Sequence, residues 1–143
     1  MSHCYNSTVV NANSETVWNT LRDFHQLDWA AGVVTKVEKV GPAAGTDVGA
    51  GRILNDAFHE TLLSLDDEGK TLSYSIDDGP GPVARDAVEN YVGKIQVSPV
   101  TDSEQTFVEW TSSYDSPNAA AVGDLCNPIY RALLDALKTH FAK

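Results

Sequence analysis

Hydrophobic and polar positions alternate through most of the middle of the chain, and near both ends the spacing widens to that of a helix. Leu125, Ile129, Leu133, Leu137 and Phe141 recur every fourth residue, with Ala132 and Ala136 beside them. Arg131, Asp135, Lys138 and Lys143 fall off that line. The pattern predicts a long amphipathic helix at the C-terminal end, with Pro128 imposing a kink or a delayed start. Val17, Trp18 and Leu21 predict a short helix over Ser14–Arg22. Asn13 and Ser14 supply N-cap oxygens for it, and Glu15 puts a negative charge in its first turn. Phe24–Trp29 has room for one further helical turn.

Seven segments carry strand signals: Cys4–Val10, Val33–Val40, Gly49–Asn55, Phe58–Leu65, Thr71–Asp77, Ala87–Val100 and Thr106–Tyr114. Gly41-Pro42, Asp66-Asp67-Glu68-Gly69 and Gly79-Pro80-Gly81-Pro82 separate them as turns or breaks. One strand, a short helical region, about six strands and a terminal helix make an α+β pattern, with helices segregated from an antiparallel sheet. Side chains at i and i+2 share a strand face. One face therefore collects Leu72, Tyr74 and Ile76, then Tyr91, Gly93, Ile95 and Val97, then Val108, Trp110, Ser112 and Tyr114. A close-packed core prefers aliphatic side chains, and buried tyrosine hydroxyls need partners. Two readings stand: a roomy pocket with a few polar handles, or aromatics that fill the space beneath the terminal helix.

Composition adds limits. The 143 residues are enough for one domain, 1–143, and not comfortably two. Twenty acidic residues against ten basic ones give a net charge of -10, which repels nucleic acid and anionic membranes. No apolar run approaches the ~20 residues that span a bilayer. The N-terminal Met-Ser-His-Cys-Tyr-Asn does not resemble a signal peptide, so the expected location is cytoplasmic. Cys4 and Cys126 form no disulfide framework and read as packing residues. The four histidines lack the spacing of a helical zinc site, and nothing calls for a metal or other cofactor. A Gly-x-Ser-x-Gly elbow and a phosphate-binding loop are both missing from the sequence. The acidic turns at Asp66–Glu68 and Asp77–Asp78 read as solvated surface.

Arg52 and Glu60 are the charged residues that strand parity can place inward. Unpaired burial would cost several kcal/mol, so the two pair with each other or meet a ligand, unless Arg52 reaches the rim and solvent. Without a cation, desolvation would raise the pKa of Glu60 and make it a candidate acid or base. His59 has the opposite parity; His25 lies near the expected mouth.

Several segments together resemble the START-like, helix-grip superfamily (SRPBCC), and its polyketide cyclase/dehydrase and lipid-transport branch. They are Ala12–Trp18, Val48–Arg52, Glu60–Asp67, Leu72–Ile76, Asn90-Tyr91, and Trp110 before Tyr114–Pro117. The resemblance implies a curved seven-stranded antiparallel sheet wrapped around the long C-terminal helix, an apolar cavity between them, and two short helices at one end. Similarity to the plant abscisic-acid receptors implies pocket positions at Arg52, Glu60, Tyr74, Ile76, Tyr91, Leu125, Ile129 and Leu133. The chain departs from those receptors. The interval from Arg52 to Glu60 is too short for their gate loop, Ala30 stands where their carboxylate-binding lysine falls, and Trp110 replaces a second pocket glutamate. A cavity is implied; a hormone-receptor function is not.

The expected function is binding or carriage of a small apolar or aromatic molecule, by a monomer or weak homodimer. The alternatives are a cyclase- or dehydratase-like enzyme in the same cavity, needing only a shaped pocket and one or two acid/base groups, and an interaction protein using its acidic surface. The candidate ligand-binding residues are Trp29, Arg52, Glu60, Tyr74, Ile76, Tyr91, Trp110, Leu125, Ile129 and Leu133; no catalytic residue is assigned.

Overall fold

The computed structural model describes residues 1–142, so Lys143 and its place off the apolar line lie outside the described residues. The strands are β1 (Ser2–Val10), β2 (Val37–Val40), β3 (Gly51–Leu54), β4 (Phe58–Asp66), β5 (Thr71–Asp78), β6 (Glu89–Pro99) and β7 (Thr106–Asp115). Helix α1 (Ser14–Leu21) follows β1, and helix α2 (Ala119–His140) ends the fold. Single 3-10 turns cover Asp28–Ala30 and Gly81–Val83. The strands form one curved antiparallel sheet in the order β1-β7-β6-β5-β4-β3-β2. This is the helix-grip architecture, with α2 packed against β1, β7 and the Asp28–Ala30 turn.

Local chemistry explains the boundaries. Asn13 caps α1, its Oδ1 accepting from the Thr16 N–H at 2.9 Å. Val17, Trp18 and Leu21 are buried on the inner face of that helix. β6 and β7 keep the expected parity: Tyr91, Gly93, Ile95 and Val97 are buried, as are Val108, Trp110, Ser112 and Tyr114. In β4 the register shifts between Leu62 and Ser64, which leaves Leu63 exposed and brings Leu65 opposite Leu72.

Three expectations are corrected. The strand expected over Val33–Val40 begins at Val37. The Asn55 side chain accepts from the N–H groups of Thr35 and Lys36 and donates to the Val33 carbonyl, so those groups turn away from any ladder. The Gly49–Asn55 strand is trimmed to Gly51–Leu54, because Asn55 and Asp56 adopt positive φ and turn the chain. Pro128 does not delay α2, which starts nine residues earlier at Ala119.

The buried face of α2 is also displaced from the expected stripe. Val122, Cys126, Tyr130, Leu133, Leu134 and Leu137 are buried, whereas Leu125, Ile129 and Phe141 are only partly so. A strict four-residue repeat advances about 40° per step on a helix of 3.6 residues per turn, so the line of leucines winds off the core.

Candidate functional site

Between the sheet and α2 lies a cavity of about 110 Å³. β3, β4 and β5 supply Arg52, Leu54, Phe58, Glu60, Tyr74 and Ile76, and β7 supplies Trp110. The facing wall is Cys126, Ile129, Tyr130 and Leu133 from α2, and Leu27, Val33, Val34 and Asn55 complete the lining from loops. Most of these side chains are apolar, so the polar ones are informative.

Arg52 and Glu60 are cross-strand partners in β3 and β4, and both are about 93% buried or more. Nε of Arg52 donates to Oε1 of Glu60 at 2.8 Å, and Nη2 lies 2.7 Å from the same oxygen. Nη1 donates to the Phe24 carbonyl at 2.8 Å, and the guanidinium lies 3.7 Å from the centre of the Phe24 ring. Burial pushes the Glu60 carboxyl above the ordinary carboxylate range, and the Arg52 charge opposes that shift. The two residues therefore pair structurally and also face the cavity.

A second polar group is built from aromatic hydroxyls. Trp110 Nε1 donates to the Tyr74 hydroxyl at 2.9 Å, and Tyr74 donates to the Tyr130 hydroxyl at 3.2 Å. The hydroxyls of Tyr91 and Tyr130 are also hydrogen-bonded to each other. Trp110 stacks on Tyr130 and Tyr91 on Tyr114, each pair with centroids 5.5 Å apart. Desolvation raises the pKa of Tyr74, Tyr91 and Tyr130, so all three hydroxyls stay protonated. It also pushes the Cys126 thiol up to about 11, which keeps that sulfur a poor nucleophile.

Seven of the ten expected residues line the cavity: Arg52, Glu60, Tyr74, Ile76, Trp110, Ile129 and Leu133. Three do not. Tyr91 points inward, but its ring is taken up by Tyr114 and its hydroxyl by Tyr130. Leu125 is half-buried on a neighbouring face of α2. Trp29 borders a separate void of about 10 Å³, and its buried Nε1 has no hydrogen-bond partner. The sequence reading missed Cys126 and Tyr130, which precede the stripe positions 129 and 133 by three residues and share their turn of the helix. It also missed Phe58, although Phe58 shares the inward parity of Glu60 two residues further along the same strand. His25 is held away from the cavity, its Nε2 donating to the Gly51 carbonyl at 2.8 Å. Among the described residues, no group of three or more His, Cys, Asp or Glu is placed to hold a metal ion.

The model of the polyketide cyclase/dehydrase and lipid transport family matches residues 1–142. The chain belongs to that family. The structure of a protein from Nitrosospira multiformis shares 39% identity, covers 99% of this chain and 97% of its own, and superposes with a TM-score of 0.95. The protein XoxI from Bacillus cereus shares 27% identity over 99% of this chain and 96% of its own, with a TM-score of 0.81. Norcoclaurine synthase from Thalictrum flavum, solved with dopamine and hydroxybenzaldehyde, has the same fold at 17% identity (TM-score 0.75, covering 96% of this chain and 84% of its own). No functionally curated protein matches the chain by sequence. Family membership supports ligand binding or cyclase-like chemistry in general terms. No helix among the described residues is long and apolar enough to cross a membrane.

Proposed function

We propose that this protein binds and carries a small apolar or aromatic molecule in the cavity between the sheet and α2. The observation that carries this reading is the cavity itself, about 110 Å³ of largely apolar-walled space beside a buried ion pair. Protein interiors are otherwise packed with few voids larger than a water molecule. An engineered apolar cavity of about 150 Å³ takes up benzene, so the space here suits one ring or a short aliphatic chain. The family's breadth, which includes lipid transport, agrees with a carrier role. The fold is also that of norcoclaurine synthase, crystallised with two single-ring aromatic molecules.

A second reading, a cyclase- or dehydratase-like enzyme in the same cavity, is favoured by Glu60. A buried carboxyl raised by desolvation and open to a cavity can exchange a proton with a bound molecule. Tyr74 and Tyr130, whose hydroxyls are engaged by Trp110, Tyr91 and each other, then supply a fixed neutral wall beside the reacting group.

Native mass spectrometry of the protein purified from its own cells tests the common element of both readings. A mass excess of a single small molecule, released on denaturation, is the expected result. Bare protein from its own cells, together with no binding of environment-sensitive apolar dyes, overturns both. Incubation with the released molecule separates them: recovery unchanged means carriage, and conversion to an isomer or dehydrated product means catalysis.

A further inference from the structure

The hydrogen bonds of the polar groups on the cavity wall leave one carboxylate oxygen without a donor. The Tyr74 hydroxyl accepts from Trp110 and spends its proton on Tyr130, and Tyr130 is engaged by Tyr91. The Asn55 amide is occupied by the backbone of Val33, Thr35 and Lys36. Arg52 donates from Nε to Glu60 and from Nη1 to the Phe24 carbonyl, keeps Nη2 2.7 Å from Glu60 Oε1, and lays its face against the Phe24 ring. The hydrogen bond and the closest ion-pair contact from Arg52 to Glu60 both fall on the same oxygen, Oε1. Oε2 takes no hydrogen bond among the described residues, yet it is not among the sealed, unpartnered polar atoms. It keeps open surface, and the space that Glu60 adjoins is the cavity.

We propose that the cavity selects a single-ring ligand carrying a neutral O–H donor, a phenol, whose hydroxyl donates to Oε2 of Glu60. The proposal rests on the reading that this cavity is the binding site. The charge balance excludes the competing polar ligands. Arg52 and Glu60 already neutralise each other, and the tyrosine and cysteine side chains beside them are uncharged. A carboxylate would add a second negative charge to a buried wall with one guanidinium between two anions. An ammonium would add a second cation beside Arg52. A neutral phenol adds no charge, presents a donor to an acceptor that lacks one, and covers the remaining wall with its ring. An acidic acceptor makes that bond a charge-assisted one, stronger than a neutral pair.

The test is a fluorine NMR titration of the protein with three probes of matched shape: 4-fluorophenol, 4-fluorotoluene and 4-fluorobenzoate. Partition into an apolar cavity alone ranks the toluene first, since the phenol gives up more hydration. The proposal expects the reverse, with the phenol bound about tenfold or more tighter than the toluene and the benzoate weakest. Equal binding of phenol and toluene, or a preference for toluene or benzoate, overturns the donor proposal and leaves the cavity reading standing. Failure of all three to bind overturns the cavity reading as well. Glu60→Gln alone strands Arg52 and risks unfolding, so the variant is Arg52→Gln with Glu60→Gln, which leaves no buried charge. In that folded double variant the phenol's advantage over the toluene falls to threefold or less while the toluene still binds; an undiminished advantage overturns the proposal.

Discussion

Gly93 lies opposite Tyr74 across β5 and β6, and the ring of Tyr74 rests on the space where a side chain would stand. A Cβ at position 93 would fall 2.5 Å from the Tyr74 hydroxyl oxygen and 2.6 Å from Cε1, well inside van der Waals contact. In Gly93→Ala the ring has to move, and its hydroxyl holds the bonds to Trp110 and Tyr130. Overpacking a core by one methyl costs about 1–3 kcal/mol, and each strained hydrogen bond adds up to about 1 kcal/mol. The expected loss is therefore about 3 kcal/mol. With a urea m-value of about 2 kcal/mol/M, the unfolding midpoint falls by about 1.5 M. The displaced ring also narrows the cavity, so apolar dye binding weakens in the fraction that remains folded. Gly123→Ala is the matched control. A Cβ there meets only Asn127 at 3.5 Å and the Tyr114 hydroxyl at 3.7 Å, ordinary contacts, in the interior of α2. It should stabilise by about 0.5–1 kcal/mol through helix propensity. A midpoint for Gly93→Ala within 0.25 M of the parent, or a loss on Gly123→Ala equal to it, would refute the packing argument.

Arg52→Leu should cost about 3–5 kcal/mol in urea unfolding by stranding Glu60, whereas Arg52→Leu with Glu60→Leu should return to within about 1 kcal/mol of the parent; additive losses would contradict the pairing. The Glu60 carboxyl should titrate above 4.5 by carbon NMR. Because its folded pKa lies above the unfolded one, its contribution to stability is present below the unfolded value and is lost as pH rises through the folded value, so Glu60→Gln should flatten that stretch of the stability curve. Asp67 behaves in the opposite sense: Arg22 and then the Trp18 indole hold its carboxyl below 3.8, so its contribution is present at neutral pH and is lost as pH falls through that lowered value. Asp67→Asn should remove that acid limb, and a titration midpoint at or above 3.8 would count against the contact.

The sheet was legible because alternation survives where one strand face is buried, as in β6 and β7. What escaped is set by contacts distant in sequence. The Asn55 amide strips the ladder from Val33–Lys36, some twenty positions away. Asp67 reads as a solvated turn residue, yet it ties α1 to the β4–β5 turn through Arg22 and Trp18. Arg52 and Glu60 were visible as inward charges because a two-residue period fixes strand faces. Whether they met each other or a ligand depended on register, and register puts them directly opposite. Tyr130 was hidden because a four-residue leucine line dominates the pattern of α2, although the helix turns Tyr130 and Cys126 to the cavity. Tyr91 shows the converse: its inward direction was readable, but the stacking on Tyr114 that removes it from the cavity was not.

Methyl-resolved NMR during titration with a single-ring aromatic molecule tests the central claim most directly. The account predicts saturable shifts centred on the methyl groups of Leu54, Ile76, Ile129 and Leu133, which line the cavity from both sheet and helix. Saturable shifts confined to surface residues such as Val9, Val40 and Leu63, or no saturable shift at all, would contradict it.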